Sequence, residues 1–567
     1  MLASILVGSV TPLLLVLLVL ATLTTLVLLV PNRLRPAGRG TIPGLPRLPI
    51  LGSLPWIGGT IPPHLLFTQL GHRYGPLFEL YLGPHRTVVV NSHVHAREVL
   101  LQRGRDFAGR PSMVTTDLLT RGGKDIAFAD YSLLWKLHRR LVHNSLALFG
   151  EGSGRLQEIG RNSLPPTLLP RDTLLFYFLT VMSEVESLCK ILLSYGGCGF
   201  DPSAAVNTAI TNVVCTLVFS TTYRHGDAEL QEVIRYNDGI VRTIARGGLV
   251  DIFSWMKVFP SSSLRELQAC VAMRDRLLVR KLQEHKAALN DGEPRDLLDA
   301  LLKGQSSPGP EGEAITDDHV LMTAAEAFGA GVETTSTTLL WILSYLLHHP
   351  EVQERVQKEL DEQVGGERPV CVADRGRLPY LDSVINEGMR IRPVSPVLIP
   401  HSAMKESRYG KRLCTCTCQS YHLVLATALV GTPSAMGLAC WSTCGPSIMT
   451  HTAGTDRTCS IQVTLLIIAP KYTQSFPDRF LDNQGRRVTP SCFLPFGAGP
   501  RICVGESLAR LELFLFLSSI LQRMSFMLPD GASPPNLQGR LGVVLQPLPY
   551  KVVVRPRGGW EVCSHAN

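Results

Sequence analysis

Phe496-Gly-Ala-Gly-Pro-Arg-Ile-Cys-Val-Gly505 decides how the rest of this chain is read. A thiol in a loop just before an apolar helix meets free amide N–H groups and the positive end of a helix dipole, and both favour thiolate. Gly497, Gly499 and Gly505 leave room for something large and flat to approach the backbone. Arg501 adds a fixed cation beside the thiol. Phe496, Gly499, Arg501, Cys503 and Gly505 form a fixed spacing, F-x-x-G-x-R-x-C-x-G, which a merely structural cysteine does not require.

Downstream, Leu508–Leu521 reads as an apolar helix, and Val543–Leu545 and Tyr550–Val554 as short strands. Upstream, Thr316 or Asp317 can cap a helix that runs without proline to His349 and is stopped by Pro350. That is roughly 51 Å at about 1.5 Å per residue, with a nearly uncharged middle, as for a helix crossing a large core. Inside it lies Ala330-Gly-Val-Glu-Thr-Thr335. Glycine in a helix interior costs ~1 kcal/mol, so Gly329 and Gly331 need a packing or ligand reason. Glu351–Val364 and Leu381–Arg390 are further helices, and Glu387 and Arg390 share a face of the second. Helical periodicity also dominates from Pro63 to Leu302, as in Leu133–Leu148 and Leu264–Leu282, before a Gly/Pro/Ser loop at Gly304–Gly312. The fold class is mainly α with small β-sheets.

The chain has 567 residues, 45% of them apolar and only 18% charged, with 55 Lys+Arg against 47 Asp+Glu. Global disorder is excluded. A balance of +8 is mild: it suits an acidic partner or an anionic membrane surface and gives no sign of nucleic acid binding. Met1–Val30 carries no charge and is long enough to span a bilayer, and Arg33, Arg35, Arg39 and Arg47 follow it. Positive flanks stay cytosolic, so residues 1–30 read as a single-pass signal-anchor with the body in the cytosol. Residues 31–62, punctuated by proline, read as a non-helical stiff tether. Cytosolic exposure implies that the 14 cysteines are mostly free thiols, and C-x-C-x-C at Cys414, Cys416 and Cys418 is not a zinc pairing.

The loop 496–505 resembles the haem-binding loop of the cytochrome P-450 superfamily. The resemblance implies a cytochrome P-450 fold for residues 63–567 and haem b as cofactor, with Cys503 as the metal ligand that pushes electron density toward O–O cleavage. It also implies a monooxygenase, using O2 and electrons from an NADPH-cytochrome reductase at the endoplasmic reticulum membrane. By the same resemblance Glu333 and Thr334 are the oxygen-activating acid and alcohol, Glu387 and Arg390 join Arg479 as a structural triad, and Phe496, Gly499 and Arg501 hold haem. Trp135 and Arg139 are implied as haem-propionate ligands, with Arg110, His401 and Arg501 as further candidates. Phe328–Thr335, Arg390–His401 and Phe493–Arg501 are similar to the steroid 17-alpha-hydroxylase/17,20-lyase family. That similarity implies hydroxylation of C21 steroids at C17, with Asn237 on the steroid 3-oxygen and Phe128, Ala330, Val394, Ile399 and Val543 lining the pocket. The lyase step draws on a b-type cytochrome docking on basic residues. Arg375 stands at one such position and Asn386 replaces another, so lyase activity is expected to be weak.

Two stretches have no counterpart in that family. Ser163–Ser183 interrupts a helical pattern with three prolines, and joining Asn162 to Glu184 would continue the Leu156/Ile159 stripe. Residues 409–474 hold little charge and keep neither strand nor helix period. Both read like mistranslated or mis-spliced sequence. Two alternatives stay open: a haem-thiolate isomerase or dehydratase, which needs no acid–alcohol pair, and a non-catalytic membrane-tethered haem or sterol binder.

Overall fold

In chain order the main helices are α1 (Pro63–Tyr74), α2 (Leu133–Ala147), α3 (Thr173–Ser194), α4 (Ser203–Phe219), α5 (Ala228–Ala245), α6 (Ser262–Ala288), α7 (Leu297–Gln305), α8 (Asp317–His348), α9 (Pro350–Gln363), α10 (Pro379–Ile391) and α11 (Glu506–Arg523). The strands are β1 (Leu77–Leu82), β2 (His85–Val90), β3 (Ser407–Tyr409), β4 (Arg412–Cys414), β5 (Tyr421–Leu425), β6 (Met524–Met527), β7 (Arg540–Leu541), β8 (Leu545–Gln546) and β9 (Val553–Pro556). This is a computed structural model, and it describes residues 18, 42–59, 61–149, 173–224, 227–245, 248–305, 314–404, 407–409, 412–414, 421–425 and 476–558.

Helix α8 runs 32 residues and organises the rest. Thr316 caps it, with His319 reaching back to the Thr316 N–H at 3.1 Å, while Asp317 and Asp318 face the positive dipole end. Its last turn meets His349, which precedes Pro350 and cannot stay helical. From Thr335 to Leu347 every residue is buried, so this half of α8 is a core element rather than a surface helix. Helix α4 lies along it and is itself buried nearly all round. Helices α10 and α11 close the other side, and the apolar side chains of all four join one core.

Helix α3 shows how a stripe makes a contact. Tyr177, Val181, Val185, Leu188 and Leu192 recur at three- and four-residue steps, and all are buried. The second half of the stretch 163–183 therefore supplies the opening turns of α3, and the stripe runs through it instead of resuming at Glu184. Tyr177 is fastened there, its O–H donating to Glu512 Oε1 at 2.6 Å. Residues 163–172 and the Leu156/Ile159 stripe lie outside the described residues.

Strands β1 and β2 form an antiparallel hairpin, Leu77 opposite Val90, and β5 adds to β2 in parallel, Arg86 opposite Tyr421. Strand β5 falls inside 409–474. Five residues are too few to announce a period, and only the pairing with β2 reveals them as a strand. The remaining pairs are β3–β4, β6–β9 and β7–β8. The closing strands begin two and three residues beyond the sequence expectation, because pairing with β7 and β6 and not apolar content sets such short ends.

Residues 1–30, read as a membrane span, lie outside the described residues except Leu18. Among the described residues no helix is long and apolar enough to cross a membrane. Of the proline-rich tether, residues 42–59 lie against the first sheet: Leu45 N–H donates to Glu79 O at 2.9 Å, and Ile42 and Leu45 are buried. Leu54–Ile57 is a short helix with Pro55 in its first turn, where a missing N–H breaks no bond. The cysteines with described side chains, Cys503 among them, are free thiols.

Candidate active site

The cysteine loop builds itself from backbone. Cys503 N–H donates to Phe496 O at 2.9 Å and Ile502 N–H to Gly499 O at 3.1 Å, which turns the thiol outward just before α11. Cys503 lies deep among protein atoms while its sulfur faces open space. Burial pushes the thiol pKa up, and the Gly505 N–H and the Arg139 charge oppose that push. The glycines divide their work differently from the sequence reading. Gly499, at φ +71°, makes no room for a ligand: an added Cβ would lie 1.8 Å from the Leu100 carbonyl, so it serves the loop's own packing. Gly497, at φ +72°, is the glycine with nothing within 4 Å of that position. The Phe496 ring lies under the Arg510 guanidinium, 4.9 Å away.

Beside the thiol, three guanidiniums cluster, two of them on the carbonyls of residues 126–129 and the third on the cysteine loop. Arg501 donates to Ala108 O, Ile126 O and Ala129 O at 2.8–2.9 Å. Arg110 donates to Ala127 O at 2.7 Å and to the Ile399 and Pro400 carbonyls at 3.0 and 2.9 Å. Arg139 reaches the Ile502 carbonyl. Burial and mutual repulsion pull Arg110 down to about 9 and Arg501 down to about 10, and burial lowers Arg139 as well. Three crowded cations of lowered pKa form a site that favours anions, so these side chains fit the two carboxylates of a haem edge.

Two members of that expected set have other duties. Trp135 spends its N–H on Ile126 O at 2.9 Å and offers instead a ring face, 4.0 Å beneath Arg501 and 5.5 Å beneath Arg139. His401 donates Nδ1–H to Phe107 O at 2.7 Å, and burial beside Arg110 and Arg501 drives its pKa down to about 3. That ring is neutral, so toward the cluster it presents an acceptor and not a cation.

A buried acid pair, Asp125 and the Glu326 that stands four residues before Ala330, underlies the cluster. Asp125 accepts the Phe128 and Ala129 N–H groups at 2.9 and 3.1 Å. Glu326, on α8, accepts the Ile126 N–H at 2.9 Å. Burial raises both pKa values, and the charge on Asp125 raises Glu326 further. Residues 125–130 thus form a template: Asp125 shapes it, α8 anchors it, and its carbonyls aim the arginines.

Around Ala330, α8 is less buried than in its second half: Ala330 itself is exposed, with half-buried Gly329 and Gly331 beside it. Gly331 has a packing reason, since an added Cβ would lie 3.2 Å from Val214 of α4. Gly329 faces the buried Asn237 of α5, whose Oδ1 lies 3.5 Å from where a Cβ would stand. Thr334 donates its hydroxyl to Ala330 O at 2.8 Å, and Glu333 accepts from Gln546 Nε2. Burial raises the Glu333 pKa, Asp238 adds to the rise, and Arg540 opposes it.

The other expected pocket residues come from three segments. Phe128 sits on the 125–130 template and Ile399 lends its carbonyl to Arg110. Val394 accepts the Leu545 N–H at 2.8 Å, which ties it to the hairpin whose turn exposes Val543. Behind the cysteine loop, fully buried Glu387 takes Arg390 at 2.5 Å and Arg479 at 3.1 Å, so the expected triad assembles. Arg375 is no open cation: it pairs with Asp382 at 3.3 Å and lies over the Phe514 ring. Gln546 and Arg540 escaped sequence reading, because nothing local marks a polar side chain that acts on Glu333 across some two hundred positions.

Comparisons with known proteins agree with this geometry. The family model for Cytochrome P450 matches residues 42–412 and 474–554. The steroid 17-alpha-hydroxylase/17,20 lyase of Ictalurus punctatus is 44% identical over 526 residues, 92% of this chain and 91% of its own. That of Macaca mulatta is 35% identical over 523 residues, 91% and 92% of the two chains. A zebra fish cytochrome P450 structure with progesterone aligns at a TM-score of 0.70 and 53% identity, over 88% of this chain and 100% of its own. A loop that presents a free thiol, a cationic edge for two carboxylates and a long helix that anchors the edge suit one haem-iron site, and with these matches they establish that the chain belongs to the cytochrome P450 family.

Proposed function

We propose that this chain is a membrane-anchored monooxygenase that hydroxylates C21 steroids, progesterone and pregnenolone, at C17, with weak 17,20-lyase activity. One observation carries the reading: on α8, the opening at Gly329–Ala330 stands between the Asn237 amide and the Glu333–Thr334 pair. A rigid apolar body with one polar end suits such a place, its oxygen on the amide and an apolar face against Ala330. Phe128, Val394, Ile399 and Val543 supply apolar walls. The names of the curated relatives, and progesterone in the zebra fish structure, support the same substrate class.

Cys503 would ligate the haem iron and Arg110, Arg139 and Arg501 would hold its carboxylates, and the haem when bound would supply dioxygen activation. The chain's own residues do the rest. The Thr334 hydroxyl, which donates to Ala330 O, would serve as a hydrogen-bond donor on the haem side of α8, and Glu333, held protonated to higher pH by burial, would store the proton beside it. Electrons come from an NADPH-cytochrome reductase. Asn386 is engaged by Arg510 at 3.1 Å and Arg375 by Asp382, so the basic surface for a b-type cytochrome is depleted.

We also read residues 1–30 as a single span of the endoplasmic reticulum membrane, with the body cytosolic. Exposed apolar side chains support a second contact with the bilayer. Ile50, Trp56 and Ile61 flank the β1–β2 turn, and Leu249, Trp255 and Phe259 adjoin it, since His85 Nε2 reaches Ile252 O at 3.2 Å. A chain lacking residues 1–30 should stay on membranes yet come off in alkaline carbonate, and a body protected inside the lumen would contradict this topology.

The deciding measurement is a reduced carbon monoxide spectrum followed by a reconstituted assay with reductase. A thiolate-type Soret band, lost in Cys503→Ala, and 17-hydroxylation of both steroids are expected. Hydroxylation of neither steroid would refute the substrate class, and efficient cytochrome-stimulated cleavage would refute the weak lyase.

A further inference from the structure

We propose that Gln546, steadied by Arg540, is a positioning residue for Glu333, and that it sets whether reducing equivalents end in hydroxylated product or in hydrogen peroxide. The inference deepens the reading above and rests on the role given there to Glu333.

A guanidinium can only donate, so the Arg540 Nη2–H on Gln546 Oε1 at 3.1 Å fixes which end of the carboxamide is oxygen. The amide nitrogen then points the other way and donates to Glu333 Oε1. The amide cannot flip without losing both bonds. Its mounting is rigid as well: Trp341 of α8 donates Nε1–H to Leu545 O at 2.7 Å, and Leu545 N–H is held by Val394 O at 2.8 Å. The hairpin is thus pinned to α8 two turns beyond Glu333, and the clamp on the carboxylate cannot drift relative to the helix.

Such a clamp has work to do here. Glu333 and Thr334 are consecutive on a helix, so their side chains leave it about 100° apart and do not face each other. A carboxylic acid that is to feed the threonine must be held in one direction. The charged groups facing Glu333 pull it differently: Asp238 of α5 repels the charged form and Arg540 of β7 attracts it. Gln546 is the neutral group that decides between them.

The two outcomes balance differently. Hydroxylation consumes RH, O2, NADPH and H⁺ and yields ROH, H2O and NADP⁺. Without timely proton delivery, O2, NADPH and H⁺ yield H2O2 and NADP⁺, with the substrate untouched. Full-length enzyme reconstituted with its reductase and progesterone reads the ratio. Gln546→Leu should raise peroxide per NADPH several-fold, leave the substrate-induced spectral Kd within twofold, and move the pH profile of the peroxide share alkaline. Arg540→Ala should act in the same direction more weakly, and Arg540→Lys should restore the ratio. A peroxide share and pH profile unchanged in Gln546→Leu would overturn the proposal.

A second readout needs no turnover. Melting temperatures of Gln546→Leu, Glu333→Leu and the double variant should be non-additive, because one shared bond is lost in each. Additive shifts would overturn the clamp. If Glu333→Gln leaves the peroxide share unchanged while the melting shifts are non-additive, the role of the acid fails and the clamp stands.

Discussion

At the scale of single residues, the site is ruled by charges that cannot all be satisfied by protein. Three guanidiniums meet an acid pair whose pKa values burial has raised, which weakens the neutralisation the acids offer them. Glu326 gives this a measurable form. Its folded pKa lies above the ordinary 4.5. The folded state therefore binds a proton the unfolded state has released, and stability falls as pH rises above 4.5, levelling off beyond the raised pKa. Glu326→Gln keeps an acceptor for Ile126 N–H without the charge, and should flatten that fall in thermal melts taken across the pH range. Glu326→Leu removes the acceptor, leaves the amide bare and costs on the order of 1–3 kcal/mol. Haem affinity should then drop, because the 125–130 template aims Arg110 and Arg501. Equal haem retention in the leucine and wild-type proteins would show that the template stands without α8.

At the scale of elements, helices with strong local signals were legible in the sequence and pairings across the chain were not. Thr316, Asp317 and Pro350 mark both ends of α8, and the F-x-x-G-x-R-x-C-x-G spacing marks the thiol, because caps and loops are decided by near neighbours. Glu387, Arg390 and Arg479 were legible through resemblance and assemble as expected. The contacts that Gly499 makes with the Leu100 carbonyl and Trp135 with the Ile126 carbonyl were not legible, because neither residue's neighbours announce them. Gln546 was opaque because its partner Glu333 lies far back in the chain. The triad also carries a prediction. Arg479 reaches Glu387 from the five-residue segment Phe476–Phe480, and Glu387 is fully buried. Arg479→Ala leaves a buried carboxylate with one partner in place of two, and should cost about 3 kcal/mol and loosen the cysteine loop. Chemical denaturation checks the first part and haem loss on gel filtration the second; a change under 1 kcal/mol would make the pair a mere surface contact.

At the scale of the whole molecule, the chain closes on itself late. The α3 stripe shows that Tyr177 and Val181 are built into the core, so a deletion of 163–183 should unfold the protein, whereas one of 163–172 should keep a haem-loaded fold. Soluble yield and the Soret band of the two deletions separate these outcomes. Strand β2 is the other case. Its β5 face waits for Tyr421–Leu425, more than three hundred residues further on. At a synthesis rate of ~5–20 residues per second, that edge stays unpaired for tens of seconds while the ribosome works through every helix in between. An apolar strand with open amides is a template for the wrong partner. The nascent protein therefore has a long vulnerable interval, timed by translation rather than by folding, and a stretch of slow codons between β2 and β5 would lengthen it while leaving the finished enzyme unchanged.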